Sequence, residues 1–375
     1  RARLEGRPVA VKIQYPGIED ALRSDLKTAG VLGRLGTVGT ALDGAGLIDE
    51  LRDRVLEECD YRKEADNQRA FAALFERMPG AHVPAVVPER SAARVLTSTL
   101  DPGQGFYPFC DTAPRAARDR AGEIIFRVCF DCLFRHSVYN ADPHPGNYLF
   151  APDGDVTFLD FGCIRRFSVE MIEAWKRVAR SVLADDREAF VRCFPALGFV
   201  GNPKKFDWDH QWSMMRYLYR PFLATEPFTY THDYVKESYG LLIFDNPNRF
   251  SGKMPPEWLF LNRLQWGLNS VLAHLQATAP WGEIWRAAVE ARTDAGAEGV
   301  GVPVTVDDVS RTASASVSPS PCDAAVRRSS TAPTGTRSPS ATSCVVMRPS
   351  SSSNFCSTSW WASSISRMRL NTLIM

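Results

Sequence analysis

A chain of 375 residues with 45% hydrophobic, 11% aromatic and 23% charged residues has the balance of a globular protein; it excludes a collagenous, wholly disordered or disulfide-scaffold chain. Its 44 basic and 43 acidic residues leave a formal charge of +1, which excludes the broad basic field of a nucleic-acid-binding surface. No uninterrupted apolar run approaches the length of a membrane span, so no transmembrane segment is expected.

The average charge conceals an asymmetry. After Ser310 the chain carries seven Arg, no Lys and one acid, Asp323, among many Ser; the rest of the chain is mildly acidic. Residues 306–375 are therefore expected to bury too little apolar surface to offset ordering entropy, and read either as a disordered tail or as non-native residues from a shifted reading frame. At the other end the chain opens at Arg1, inside what reads as a strand, and a truncated N-terminus is expected. The nine Cys are scattered, which fits a reducing compartment and a cytoplasmic location. Cys129 and Cys132, on an apolar helical stretch, read as packing residues because no second Cys or His pair completes a metal site.

In chain order, PVAVKIQ (8–14) alternates as a strand with Lys12 on its polar register. Residues 18–35 and 47–78 have helical spacing, with Phe71, Leu74 and Phe75 on one face. HVPAVV (82–87) and RVLTSTL (94–100) read as short strands, with a turn-rich connection at 101–105. A helix is expected over 114–136, a Pro- and Gly-rich loop over 139–147, and a hairpin of 148–150 and 156–161 about Asp153-Gly154. Helical patterns fill 168–193, 211–223, 233–243 and 257–277.

Three separated pieces meet the demands of a nucleoside triphosphate with a divalent metal. A strand Lys reaches the α- and β-phosphates and is held by a helix Glu; Lys12 and one of Glu57, Glu58 or Glu64 fill those places. A loop Asp followed five residues later by Asn, then a hairpin into Asp-Phe-Gly, sets a carboxylate at the acceptor hydroxyl and two oxygen ligands on magnesium. Asp142, Asn147 and Asp160-Phe161-Gly162 have that spacing. Each piece is weak alone, and their order makes the signal.

AVKIQYPG (10–17), ECDYRKEADNQRAF (58–71), ADPHPGNYLF (141–150) and FLDFGCIRRF (158–167) resemble the UbiB/ADCK (AarF-type) family of atypical protein-kinase-like enzymes. The likeness runs from about Pro8 to Trp285 and ends in LFLNRLQWGLNSVLAHL (259–275). It implies an α+β, two-lobed protein-kinase-like fold: a partial, mixed N-lobe over 1–100 with inserted helices, and a largely helical C-lobe over 101–305. It also implies binding of ATP with Mg2+, a role in ubiquinone or isoprenoid-lipid metabolism, and a place beside a membrane, with a quinone intermediate or lipid and a biosynthetic complex as partners and no nucleic acid. By motif, Lys12 would bind phosphate and Glu64 hold it, while Glu58 and Asp60 would form the family's Glu-x-Asp pair near the nucleotide. Asp142 would take the catalytic-loop place, with Asn147 and Asp160 on the metal.

Some features depart from the family. Its N-terminal Lys-x-Gly-Gln motif and Ala-rich loop would both precede Arg1. Ser98-Thr99 stands where a hinge acid is expected, which leaves adenine to backbone groups around Thr99, Leu100 and Asp101. Asn140 stands where a His is common, a change expected to affect only fine loop packing. His144 is expected to bond its own loop backbone, the run 212–223 to pack a helical core rather than line a lipid groove, and Arg165 and Arg166 either to hold the next loop or to meet an acidic partner. Two rival readings remain beside the leading one: a small-molecule phosphotransferase of the aminoglycoside or choline kinase kind, and a pseudokinase that senses nucleotide as a regulatory scaffold.

Overall fold

The computed structural model describes residues 1–18, 59–253 and 255–293. The expectations for Glu57, Glu58, the helices within 19–58 and the tail from 306 onward lie outside the described residues.

The chain begins as a hairpin of β1 (Ala2–Leu4) and β2 (Arg7–Ile13), turned through Glu5 and Gly6, both at positive φ. After the undescribed stretch, α1 (Tyr61–Phe75) starts at Asp60, whose carboxylate caps it by accepting the Arg62 N–H. The buried stripe of α1 runs Glu64, Gln68, Phe71, Phe75, so one end of the helix presents a carboxylate and an amide while the other is aromatic. Gln68 is satisfied by the Pro84 carbonyl at 2.6 Å, as a buried amide requires.

Next come β3 (Ala81–His82) and β4 (Val95–Thr99). β4 pairs with β2 in register Lys12 to Leu96, giving a three-stranded antiparallel sheet with β2 in its centre. The expected strand 82–87 is only partly regular: Ala85 and Val87 bond Thr99 and Thr97 alongside β4, but Pro84 and the 3₁₀ turn Pro88–Arg90 stop a ladder from forming.

β5 (Gln104–Gly105) leads into α2 (Phe106–Thr112) and then α3 (Arg115–His136), which ends at Ser137 in the left-handed conformation. α3 buries Ile124, Ile125, Phe126, Phe130, Leu133 and Phe134 in the core and carries ion pairs such as Arg115–Asp119 and Arg127–Glu123 on its outer face. Cys132 is fully buried, and burial pushes the Cys129 thiol up to about 12, which keeps it protonated and suits packing.

Four short strands then build the ground of the site: β6 (Val138–Asn140), β7 (Tyr148–Phe150), β8 (Val156–Phe158) and β9 (Ile164–Arg166). β7 and β8 form the expected hairpin and extend into a sheet of order β3-β8-β7-β5. β9 returns beside β6, pairing Asn140 with Ile164. The chain therefore leaves and re-enters at one place, which brings residues near 142 back to those near 160.

The remainder is mostly helical. The expected helix 168–193 is two, α4 (Val169–Leu183) and α5 (Arg187–Cys193), because Asp185 turns at φ 54 and Asp186 caps the second. The run 211–223 likewise divides into α6 (Trp208–Leu218) and α7 (Arg220–Leu223). It buries Met214, Leu218 and Phe222 as expected of a core, while Arg216, Tyr217 and Arg220 face an open groove. Then follow β10 (Phe228–Thr229), α8 (His232–Tyr239), α9 (Pro256–Leu275), β11 (Thr278–Ala279) and α10 (Trp281–Glu290). Aromatic rings join α10 to α3 and α7: Trp285 meets Phe130 edge-on at 4.5 Å and stacks on Phe222 at 4.3 Å.

Gly154 turns the β7–β8 hairpin at φ 94, and a Cβ there would strike the Ala117 carbonyl oxygen of α3. Gly154→Ala is expected to destabilise the protein by about 2 kcal/mol or more, read as a lower midpoint in chemical denaturation; an unchanged midpoint would contradict this placement.

Candidate functional site

Lys12 projects from the central strand β2 and meets two carboxylates from distant segments. Its Nζ lies 2.7 and 2.8 Å from the two oxygens of Glu64, 52 residues away, and 3.3 Å from Oδ2 of Asp160, 148 residues away. The Tyr61 ring sits beneath the ammonium at 5.1 Å. Lys12 is 41% exposed and Glu64 only 3%, so the pair has one wet and one dry partner. Partial burial opposes the Lys12 charge, but Asp160 and Glu64 outweigh it and raise its pKa. Burial likewise opposes the Asp160 charge, and Lys12, the Gly162 N–H and Arg263 together hold that carboxyl below its ordinary value.

The Asp160-Phe161-Gly162 turn is fixed at each residue. Asp160 Oδ1 accepts the Gly162 N–H at 2.9 Å. The Phe161 ring is buried 5.2 Å from Phe71 of α1, and its carbonyl accepts Asn67 Nδ2 at 2.9 Å. Asn140 Nδ2 donates to the Asp160 carbonyl at 2.6 Å, while Asn140 Oδ1 accepts the Asp142 N–H at 3.0 Å. Asn140 thus ties the loop to the turn, a larger role than the loop packing expected of it. Asn67 was not singled out by sequence, although an amide one turn after Glu64 on an otherwise amphipathic helix was a signal.

Asp142 is held from both sides. Its Oδ2 accepts Asn147 Nδ2 at 3.1 Å, as its backbone carbonyl does at 3.0 Å. Its Oδ1 lies 2.6 Å from Nη2 of Arg263, contributed by α9 from 121 residues away. Arg263 is a second residue that sequence reasoning missed, and its only signal was a cation inside the apolar run LFLNRLQWGL. His144 Nδ1 accepts the Gly146 N–H at 3.0 Å, the expected bond within its own loop.

The other expected residues fall as follows. Asp60 caps α1, directly before Tyr61 and one turn from Glu64. Thr99 donates its N–H to Ala85 and its hydroxyl to Asp101, and Leu100 donates its N–H to Pro8. Arg165 is buried, donating to the Ile164 carbonyl, whereas Arg166 is exposed. Of the two readings given these arginines, burial favours loop-holding for Arg165.

The donors suit a hard divalent cation. Asn147 turns its amide nitrogen to Asp142, which leaves its oxygen on the far side, and Asp160 keeps one oxygen toward Lys12. Among the described residues no group of three or more His, Cys, Asp or Glu side chains could enclose a metal. One carboxylate and one amide oxygen fit Mg2+, which retains waters and takes phosphate oxygens to complete its shell.

A sequence model of the ABC1 atypical kinase-like domain matches residues 1–194. The chain is 32% identical over 229 residues to atypical kinase COQ8B, mitochondrial, of Rattus norvegicus, covering 59% of this chain and 42% of that protein. It is 25% identical over 293 residues to atypical kinase coq-8, mitochondrial, of Caenorhabditis elegans, covering 75% and 38%. The chain therefore spans well under half the length of these curated relatives. A solved structure described as the complex of Rv3197 with erythromycin from Mycobacterium tuberculosis superposes with a TM-score of 0.61 at 28% identity, covering 75% of this chain and 71% of that one. The α+β, kinase-like fold class read from sequence is borne out.

Lys12→Met would strand the dry Glu64 carboxylate. The expected loss is about 2 kcal/mol, below the 3–5 of a fully buried pair because Lys12 is partly solvated, and Lys12→Met/Glu64→Gln should recover most of it in thermal unfolding. The pH dependence has a definite sign. The depressed carboxyl of Asp160 contributes stability above its unfolded value, near 4, and loses it as pH falls through the lower folded value. Asp160→Asn should therefore flatten the acid limb of a stability-against-pH curve, and an unaltered limb would contradict the pairing.

Proposed function

Because the chain belongs to the ABC1 atypical kinase-like family, that of the UbiB, AarF and COQ8 proteins, we propose that it binds ATP with Mg2+ at the Lys12–Asp160 site and transfers or hydrolyses the terminal phosphate. The observation that carries this reading is the double pairing of Lys12 with Glu64 and Asp160. The Asp160 contact is the longer of the two, so Lys12 can stay on Glu64 and turn to phosphate while Asp160 is released to metal.

Lys12 then binds the α- and β-phosphates, oriented by Glu64. Asn147 and Asp160 would hold Mg2+, which when bound offsets charge on the phosphate oxygens. Asp142, fixed from both sides, faces the acceptor hydroxyl and takes its proton. The N–H groups of Thr99 and Leu100 already donate to the carbonyls of Ala85 and Pro8, which leaves adenine to carbonyl groups of that segment and to the backbone of Asp101. By the family likeness Asp60 would belong to a Glu-x-Asp pair near the nucleotide, with Glu58, which lies outside the described residues, as its other member.

The family likeness supports the further proposal of a role in ubiquinone or isoprenoid-lipid biosynthesis, with a quinone intermediate or membrane lipid and a biosynthetic complex as partners, from a peripheral position at a membrane. Among the described residues no helix is long and apolar enough to cross one.

The test is thermal unfolding of the full chain and of Asp160→Asn, with and without ATP and Mg2+, and with and without lipid vesicles, alongside release of ADP. ATP at a hundred times its dissociation constant should add about 2.7 kcal/mol, dependent on Mg2+ and absent in the variant. Identical unfolding in all conditions would overturn the reading.

A further inference from the structure

We infer that Arg263 is a positioning residue for Asp142, a cation that the loop itself lacks and that α9 supplies. The inference rests on the proposed phosphate-transfer site and adds a part to it.

The loop from Ala141 to Asn147 contains no Lys or Arg. Its single titratable cation candidate, His144, directs Nδ1 back to the Gly146 N–H, so that nitrogen is an acceptor facing the backbone. Asp142 nonetheless stands against a guanidinium: Arg263 Nη2 is 2.6 Å from its Oδ1, with both side chains less than a fifth exposed. A charge-assisted bond at this depth is strong and directional. With Asn147 on Oδ2, both carboxylate oxygens are fixed, and so is the direction in which Asp142 meets an acceptor.

A second contact makes α9 the backing of this loop. Gly267, one turn beyond Arg263, receives the Pro143 ring so closely that a Cβ at this position would overlap it. Gly is unfavourable in a helix interior relative to Ala, and here the close approach of Pro143 leaves room for nothing larger. The loop thus rests against the helix at Gly267 and is charge-locked to it at Arg263. The Arg263 charge also favours the Asp160 carboxylate, but less than Lys12 and the Gly162 N–H do, and the carboxylate it bonds is that of Asp142.

The experiment compares Arg263→Met and Arg263→Lys with the parent full chain in three readouts: kcat and KM for ATP, Mg-ATP stabilisation in thermal unfolding, and amide hydrogen exchange over residues 141–147. Arg263→Met is expected to lower kcat on the order of 10- to 100-fold, to leave KM for ATP and the Mg-ATP stabilisation within about twofold, and to speed exchange in the loop alone. Arg263→Lys, which keeps the charge without the fork, should lie between the two and serves if the Met variant does not fold. An unchanged kcat, or parallel losses of kcat, ATP affinity and global stability in both variants, would overturn the inference. A parent that binds Mg-ATP without turnover would overturn the transfer reading instead. The inference is then decided by exchange: faster loop exchange in the variants supports it and unaltered exchange overturns it.

Discussion

An ammonium shared by two carboxylates is the constraint on which the rest of this structure depends. Lys12 leaves the central strand of one sheet, Glu64 comes from α1, and Asp160 follows the β7–β8 hairpin. Glu64 is nearly dry, and an unpaired carboxylate there would be costly, while Lys12 keeps contact with solvent. Pairing turns that cost into a tie between segments that share no local sequence. It also sets the orientation of α1, whose next turns carry Asn67 to the Phe161 carbonyl and Phe71 to the Phe161 ring. One helix therefore holds the Lys through a charge and the Asp-Phe-Gly turn through an amide and a ring.

The other side of the site is built on a different principle. There the loop is short, rich in Pro and anchored by side chains that reach in from elsewhere. Asn140 bonds both Asp142 and the turn at Asp160, Asn147 folds back on Asp142, and α9 provides Arg263 and the space at Gly267. The result is a carboxylate held on both oxygens next to a metal-suited pair of oxygens. The proposed base Asp142 and the proposed ligand Asn147 are fixed without a bond to Lys12, whereas the proposed ligand Asp160 is paired with it, so the two sides of the site meet at Asp160.

How much of this was legible depended on whether its cause was local. The strand at Lys12 showed in the alternation of PVAVKIQ, the hairpin in Asp153-Gly154, and the loop in its Pro and Gly, since each is set by nearest-neighbour chemistry. Glu64 was visible as one of three acids, and α1 singles it out by burying it. The break between α4 and α5 was not legible because Ala184, Asp185 and Asp186 carry no Gly or Pro, and the turn comes from Asp185 at positive φ with Asp186 as cap. β5 and β9 lack a strand pattern and exist because β7 and β6 lie beside them. Arg263 lay furthest from view: its partner is 121 residues away, and only tertiary structure could join them.

The most direct measurement is a crystal structure of the full chain with Mg2+ and a non-hydrolysable ATP analogue. Lys12 should remain on Glu64 and move from Asp160 to the phosphates, with Asp160 and the Asn147 amide oxygen on the metal and Arg263 still on Asp142. A nucleotide bound elsewhere, or Lys12 still bonded to Asp160 with no metal between the hairpin and the phosphates, would contradict the assignment.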